Sequence, residues 1–120
     1  MKRDMDLMRA ILFEVEKWPF GACQPVQIPD HSQEEIAYHV YLLANAGLID
    51  ALDVSSSDGM DWYPKHLTFA GHEFLDAGRE ERTWSKAKDS VLKTTGTLTL
   101  EAMKTALSLL IQQGIKGALS

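Results

Sequence analysis

Positive charge is missing from the middle of this chain. Between Trp18 and Pro64 there is no Lys or Arg, while Asp30, Glu34, Glu35, Asp50, Asp53, Asp58 and Asp61 give that segment a formal charge of −7. All 12 Lys and Arg lie outside it, and 7 of the 17 acids lie inside it. Duplex DNA presents about one negative charge per 1.7 Å, and non-specific affinity comes from Lys and Arg at phosphates. Nucleic acid is therefore disfavoured as a partner by charge. Cysteine is nearly absent: Cys23 stands alone, which excludes an internal disulfide and makes a reducing compartment, the cytoplasm, the expectation. No apolar run is long enough to cross a bilayer, and the start MKRDMD carries charges where a signal peptide needs an apolar core. Internal repeats and low-complexity segments are lacking as well.

The signatures of chemistry are equally sparse. Zinc sites show close pairs such as C-x-x-C or H-x-x-x-H. Here the four histidines, His31, His39, His66 and His72, are scattered, and five residues separate even His66 from His72. No nucleophile elbow or glycine-rich phosphate loop accompanies His72, Glu73 and Asp76. The expectation is a protein that is not an enzyme, with no metal, no cofactor and no evident small-molecule ligand.

What is present reads as an ordinary globular chain of 120 residues, 45% apolar and 24% charged. Its organising stretch is EEIAYHVYLLANAGLI, Glu34 to Ile49. Ile36, Val40, Leu43 and Gly47 recur at helical spacing, and Gly47 suits the left-handed residue that closes a helix. Ahead of it, Asp4 is the expected N-cap of a first helix that carries Leu7, Ile11, Val15 and Trp18 on one face and ends before Pro19. Gln24 to Ile28 is expected to form a short edge strand, and Ser32 or Asp30 to cap the central helix. Ile49–Val54 and Trp62–Leu67 read as paired strands around the turn Ser55 to Gly59. Thr68 should cap a long helix reaching about Leu92, with a kink or break near Ala77 and Gly78. A final helix is expected from about Thr99 to Gln113, stopped by Gly114.

The fold class is thus α+β: a winged-helix-like domain (helix, short strand, helix, β-hairpin wing, long helix) over residues 1–93, plus a C-terminal amphipathic helix over 94–120. That last segment either packs on the domain or forms a dimer seam. A complete helix-turn-helix needs another helix between Pro19 and Ser32, where there is room for a single turn only.

Two stretches, MKRDMDLMRAIL and LTFAGHEFLDAGRE, together with the central YHVYLLANAGLI, resemble a family of uncharacterised bacterial and phage or prophage proteins. That family is recognised by an MKRDMDL start and an LTxxGHxFLDxxR motif. The resemblance covers nearly the whole chain and implies a small winged-helix-like protein of bacteria or their phages. It brings no activity, cofactor or site residues. A looser likeness of HVxxLxxAGLI to bacterial transcriptional regulators is mostly scaffold.

Three surfaces are candidates for function. Tyr38, His39, Tyr41 and Asn45 would lie on the outer side of the central helix, where a regulator reads bases; on an acidic surface, aromatic residues suit a protein interface better. The equal alternative packs Tyr38 or Tyr41 partly buried beside the wing. Arg79, Arg82, Lys86 and Lys93 share a face if the long helix is continuous, either as a binding stripe or as a solvated face of mixed charge, with Arg79 tied to Asp76 or Asp4. Leu100, Met103, Leu107 and Leu110 form a stripe that is either core or a seam between two copies. The functional expectation is a binding module acting through protein contacts, with a DNA-binding transcriptional regulator as the alternative.

Overall fold

The computed structural model describes residues 1–119 and divides the chain into two compact units, Met1–Glu73 and Phe74–Ser120. Among the described residues, five helices and one antiparallel hairpin make an α+β protein, in an order compatible with a winged-helix-like arrangement.

In the first unit, helix α1 (Met5–Glu16) begins where the Asp4 carboxylate accepts from the Leu7 backbone N–H at 3.1 Å. It buries Met5, Leu7, Met8, Ile11, Leu12 and Val15. The helix stops two residues short of Trp18, because Lys17 already occupies its C-cap ahead of Pro19. The expected strand at Gln24 to Ile28 is absent. The segment is irregular although Val26 is buried, because an apolar pair can anchor a segment without a neighbouring strand to bond it.

Ser32 caps helix α2 (Gln33–Asn45), accepting from Glu35 N–H at 3.1 Å. At its other end Gly47 adopts a φ of 78°, and two bonds close the turn: Gly47 N–H to Ala44 O and Leu48 N–H to Leu43 O, both 3.0 Å. This 6→1 and 5→2 pair is the Schellman arrangement, and it turns the chain straight into β1 (Ile49–Asp53).

Strand β2 (Trp62–Leu67) pairs antiparallel with β1, Ile49 opposite Leu67 and Asp53 opposite Trp62. The register slips between Asp50 and Ala51, whose partners are His66 and Pro64, so Lys65 is an extra residue. That bulge explains how Pro64 and Leu67, three apart, are both buried; in a regular strand they would face opposite sides. At the tip, Ser56 and Gly59 bond each other in both directions at 3.0 Å. The Ser55 hydroxyl and then its N–H hold the Asp53 carboxyl below the usual carboxylate range.

Helix α3 (Phe69–Ala77) opens on a clamp. The Thr68 hydroxyl donates to Gly47 O at 2.6 Å while accepting from Gly71 N–H at 3.0 Å, and Thr68 N–H donates to Leu48 O at 3.1 Å. One threonine thereby caps α3 and satisfies an orphan carbonyl at the end of α2. Gly71 lies so close to the same segment that a Cβ would sit 1.8 Å from Leu48 O.

In the second unit the long helix is in fact two. Gly78 to Glu80 separate α3 from α4 (Glu81–Thr95). The reason for glycine there is contact: a Cβ on Gly78 would meet Trp84 at 2.7 Å and Leu107 at 3.5 Å. Phe74 meets the buried Trp84 edge to face at 5.9 Å. Helix α5 (Leu100–Leu119) runs through Gly114 rather than stopping there.

Candidate functional site

The outer face expected of α2 is only partly a surface. His39 is fully buried, with 0% exposure. Its Nε2 accepts from Asp4 N–H at 2.8 Å and its Nδ1 faces Glu35 O at 2.8 Å. A carbonyl oxygen only accepts, so Nδ1 carries the hydrogen and Nε2 is the acceptor. His39 therefore cannot read a base: it ties the start of α1 to α2, and its assignment to an interaction surface is corrected. Tyr41 rests against Trp62 of β2, ring centroids 5.4 Å apart, and Tyr38 lies 6.3 Å from Tyr41. Both tyrosines are half-buried beside the wing, while Asn45 is exposed and donates to the Tyr41 hydroxyl at 3.4 Å.

The basic face loses a member for a geometric reason. Arg79 sits in the turn between helices, its guanidinium 2.8 Å from Asp76 Oδ1. Arg82, Lys86 and Lys93 are exposed along α4. In α5, Met103 and Leu107 are buried at 0% and 1% exposure and belong to this chain's own core, which removes them from any seam. Leu100 and Leu110 are half-buried, and Leu109, Ile111 and Ile115 of α5 are exposed.

A cleft that the sequence reading did not single out lies wholly within the first unit. It has a volume of about 330 Å³ and is lined by Val15, Glu16, Trp18, Phe20, His66, Leu67 and His72. The end of α1 supplies Val15 and Glu16, the Pro19 turn holds Phe20 outward, the bulged end of β2 presents His66, and α3 presents His72. Phe20 is 90% exposed and stacks on the His66 ring, centroids 5.4 Å apart and planes 28° apart. His66 Nδ1 donates to Leu67 O at 3.1 Å, and its Nε2 lies 3.4 Å from Asp50 Oδ2. Phe69, one turn before His72 on α3, is 81% exposed. The only sequence signal for this site was the pair of aromatics flanking Pro19.

The other histidines are placed apart from it: His31 Nδ1 meets Glu35 Oε1 at 2.6 Å. Among the described residues no three His, Cys, Asp or Glu side chains gather as a metal shell requires. No described helix is long and apolar enough to cross a membrane.

The model of the hypothetical-protein family DUF2513 matches residues 2–97. The chain belongs to the DUF2513 family. Its α1 start, its α2–β1 turn, the Thr68–Gly71 clamp and the cleft all fall inside the matched region. This DUF2513 protein is also similar to an uncharacterized protein of Haemophilus influenzae, 36% identical over 115 residues that cover 94% of this chain and 98% of the relative. No solved structure matches it.

Proposed function

We propose that this DUF2513 protein is a non-enzymatic, winged-helix-like binding module that acts through protein contacts in a bacterial or phage regulatory setting. The observation that carries this reading is the state of α2. Its inner aromatic and imidazole groups are committed to Asp4, Glu35 and Trp62, and the stretch from Trp18 to Pro64, which holds α2, β1 and the turn, has seven acids and no Lys or Arg, Lys65 of β2 coming just after it. A phosphate backbone would find only repulsion there. The exposed aromatic residues of the same unit, Phe20 and Phe69, suit a polypeptide partner. A second copy seated on α5 would meet the exposed Leu109, Ile111 and Ile115 rather than Met103 and Leu107, which are buried.

The alternative, a DNA-binding regulator, draws support from the element order and from Arg82, Lys86 and Lys93 exposed on α4. Titration with random duplex DNA at about 50 and 200 mM salt separates the two, because phosphate contacts give log K a slope of roughly −0.9 per contact. The protein-contact reading requires no duplex binding at either salt. Tight binding that weakens steeply with salt would replace it with the regulator.

A further inference from the structure

Phe20 is in an unusual position for a phenylalanine. At 90% exposure it gains almost nothing from burial, yet it is held in one place, by Pro19 on one side and by the His66 ring it stacks upon. His66 is itself fixed by its bond to Leu67 O and by Asp50. The result is a solvent-facing π surface with a carboxylate beside it. The cleft it borders adds Trp18, a second imidazole at His72 and the carboxylate-bearing Glu16, and its volume falls at the lower end of the range of ligand pockets.

Aromatic faces attract cations electrostatically, and a guanidinium does so with a flat plate that also stacks. The surroundings favour the same sign of charge. Residues 1–73 hold 12 Asp and Glu against five Lys and Arg, Lys17 and Lys65 among them, a net formal charge of −7, so the field over this unit concentrates positive ligands and repels phosphate. A neutral aromatic ligand would draw nothing from that field, and a nucleotide would meet the wrong charge.

We propose that the cleft receives the guanidinium of an arginine in a basic partner polypeptide, the plate lying on the Phe20–His66 stack with its charge toward Asp50. This rests on the protein-contact reading above and gives that partner its chemistry. An extended basic strand can then place further cations along the hairpin, where Asp53, Asp58 and Asp61 continue the acidic surface.

The test uses the full chain and a blocked peptide of alternating glycine and arginine, with the matching glycine–lysine peptide and a short thymidine oligonucleotide as probes. Ring resonances of Trp18, Phe20, His66 and His72 are followed by NMR at about 150 mM salt, where charges more than roughly 8 Å apart are screened. The arginine peptide is expected to shift those rings saturably and to bind roughly threefold to fivefold tighter than the lysine peptide, as a stacked cation requires. Phe20→Ala, at a side chain that supports no core, should remove that preference and leave the remaining amide spectrum unchanged. Asp50→Asn should weaken both peptides. Equal affinity for the two peptides, an effect confined to Asp53–Asp61 that Phe20→Ala does not alter, or saturable oligonucleotide binding at the same rings would each overturn the assignment. Failure of every peptide together with absence of duplex DNA binding would end the arginine site and leave the protein-contact reading standing, whereas salt-sensitive duplex binding would end both.

Discussion

Replacing His39 by Phe isolates what one buried imidazole contributes. Phenylalanine keeps a ring of comparable size at a site with no solvent exposure, so the cavity term is small and the change falls on two hydrogen bonds. The Glu35 carbonyl loses a donor but keeps the partner that helix α2 gives it. The Asp4 N–H is worse placed: it precedes the first turn of α1, and the 2.8 Å bond to Nε2 is the one it makes. Leaving a buried donor without an acceptor costs about 1–3 kcal/mol, and the tie between α1 and α2 is lost with it. The expected destabilisation is about 2 kcal/mol, read from urea unfolding by circular dichroism, with the m-value unchanged. Amide hydrogen exchange at Asp4 should accelerate in the same variant. A loss of less than about 0.5 kcal/mol, the scatter of ordinary surface substitutions, with Asp4 still protected, would show that the bond is replaced by water and refute the reasoning.

Other sites yield equally direct tests. Gly71→Ala normally strengthens a helix interior by about 1 kcal/mol, yet here the Cβ would sit 1.8 Å from the Leu48 carbonyl oxygen. The expected result is destabilisation by about 3 kcal/mol or more, and a stabilised variant in a thermal melt would contradict the close approach. Thr68→Ala should cost about 1–2 kcal/mol, more than Thr68→Ser, because the cap of α3 and the bond to Gly47 O go together. Leu107→Glu places a charge at 1% exposure and should unfold the α4–α5 unit, lowering helical content; a variant with wild-type circular dichroism would put Leu107 outside the core. At the hairpin, the lowered Asp53 pKa means that its bonds to Ser55 stabilise the turn above the ordinary carboxylate range, an effect lost as pH falls through the folded value. An Asp53 carboxyl titration by NMR should therefore have its midpoint below the ordinary aspartate range, and Ser55→Ala should raise it.

Local chemistry was legible in the sequence where one or two residues decide the outcome. Asp4, Ser32 and Thr68 cap helices because each has a short oxygen-bearing side chain, and Gly47 ends α2 because few other residues take a φ of 78°. The hairpin followed from β-rich segments around serine, aspartate and glycine. The errors came where distant parts of the chain decide. Val26 and Ile28 alternate like a strand, but no strand among the described residues pairs with them. Gly114 does not stop α5, because a penalty near 1 kcal/mol is within reach of the flanking helix formers. His39 shares the expected outer face with Tyr38, Tyr41 and Asn45, yet it lies three residues from Ile36 and next to Val40, on the inward stripe, and the Asp4 and Glu35 partners make that burial tolerable. The cleft joins residues 15–20 to residues 66–72, and no spacing within either stretch announces the other.

The bulge at Lys65 bears on solubility as much as on geometry. A sheet of two strands leaves a row of backbone groups on each side that no further strand bonds among the described residues, and such rows recruit strands from neighbouring molecules. Here the β2 row is interrupted: Pro64 has no N–H to offer, and the extra residue breaks the even spacing that an incoming strand must match. On β1, Asp50 and Asp53 put like charges where a second copy would align with the first. The hairpin thus protects itself against templated stacking by its own irregularity, and a tidier strand, with valine for Pro64 and no extra residue, would be the more dangerous one to express at high concentration.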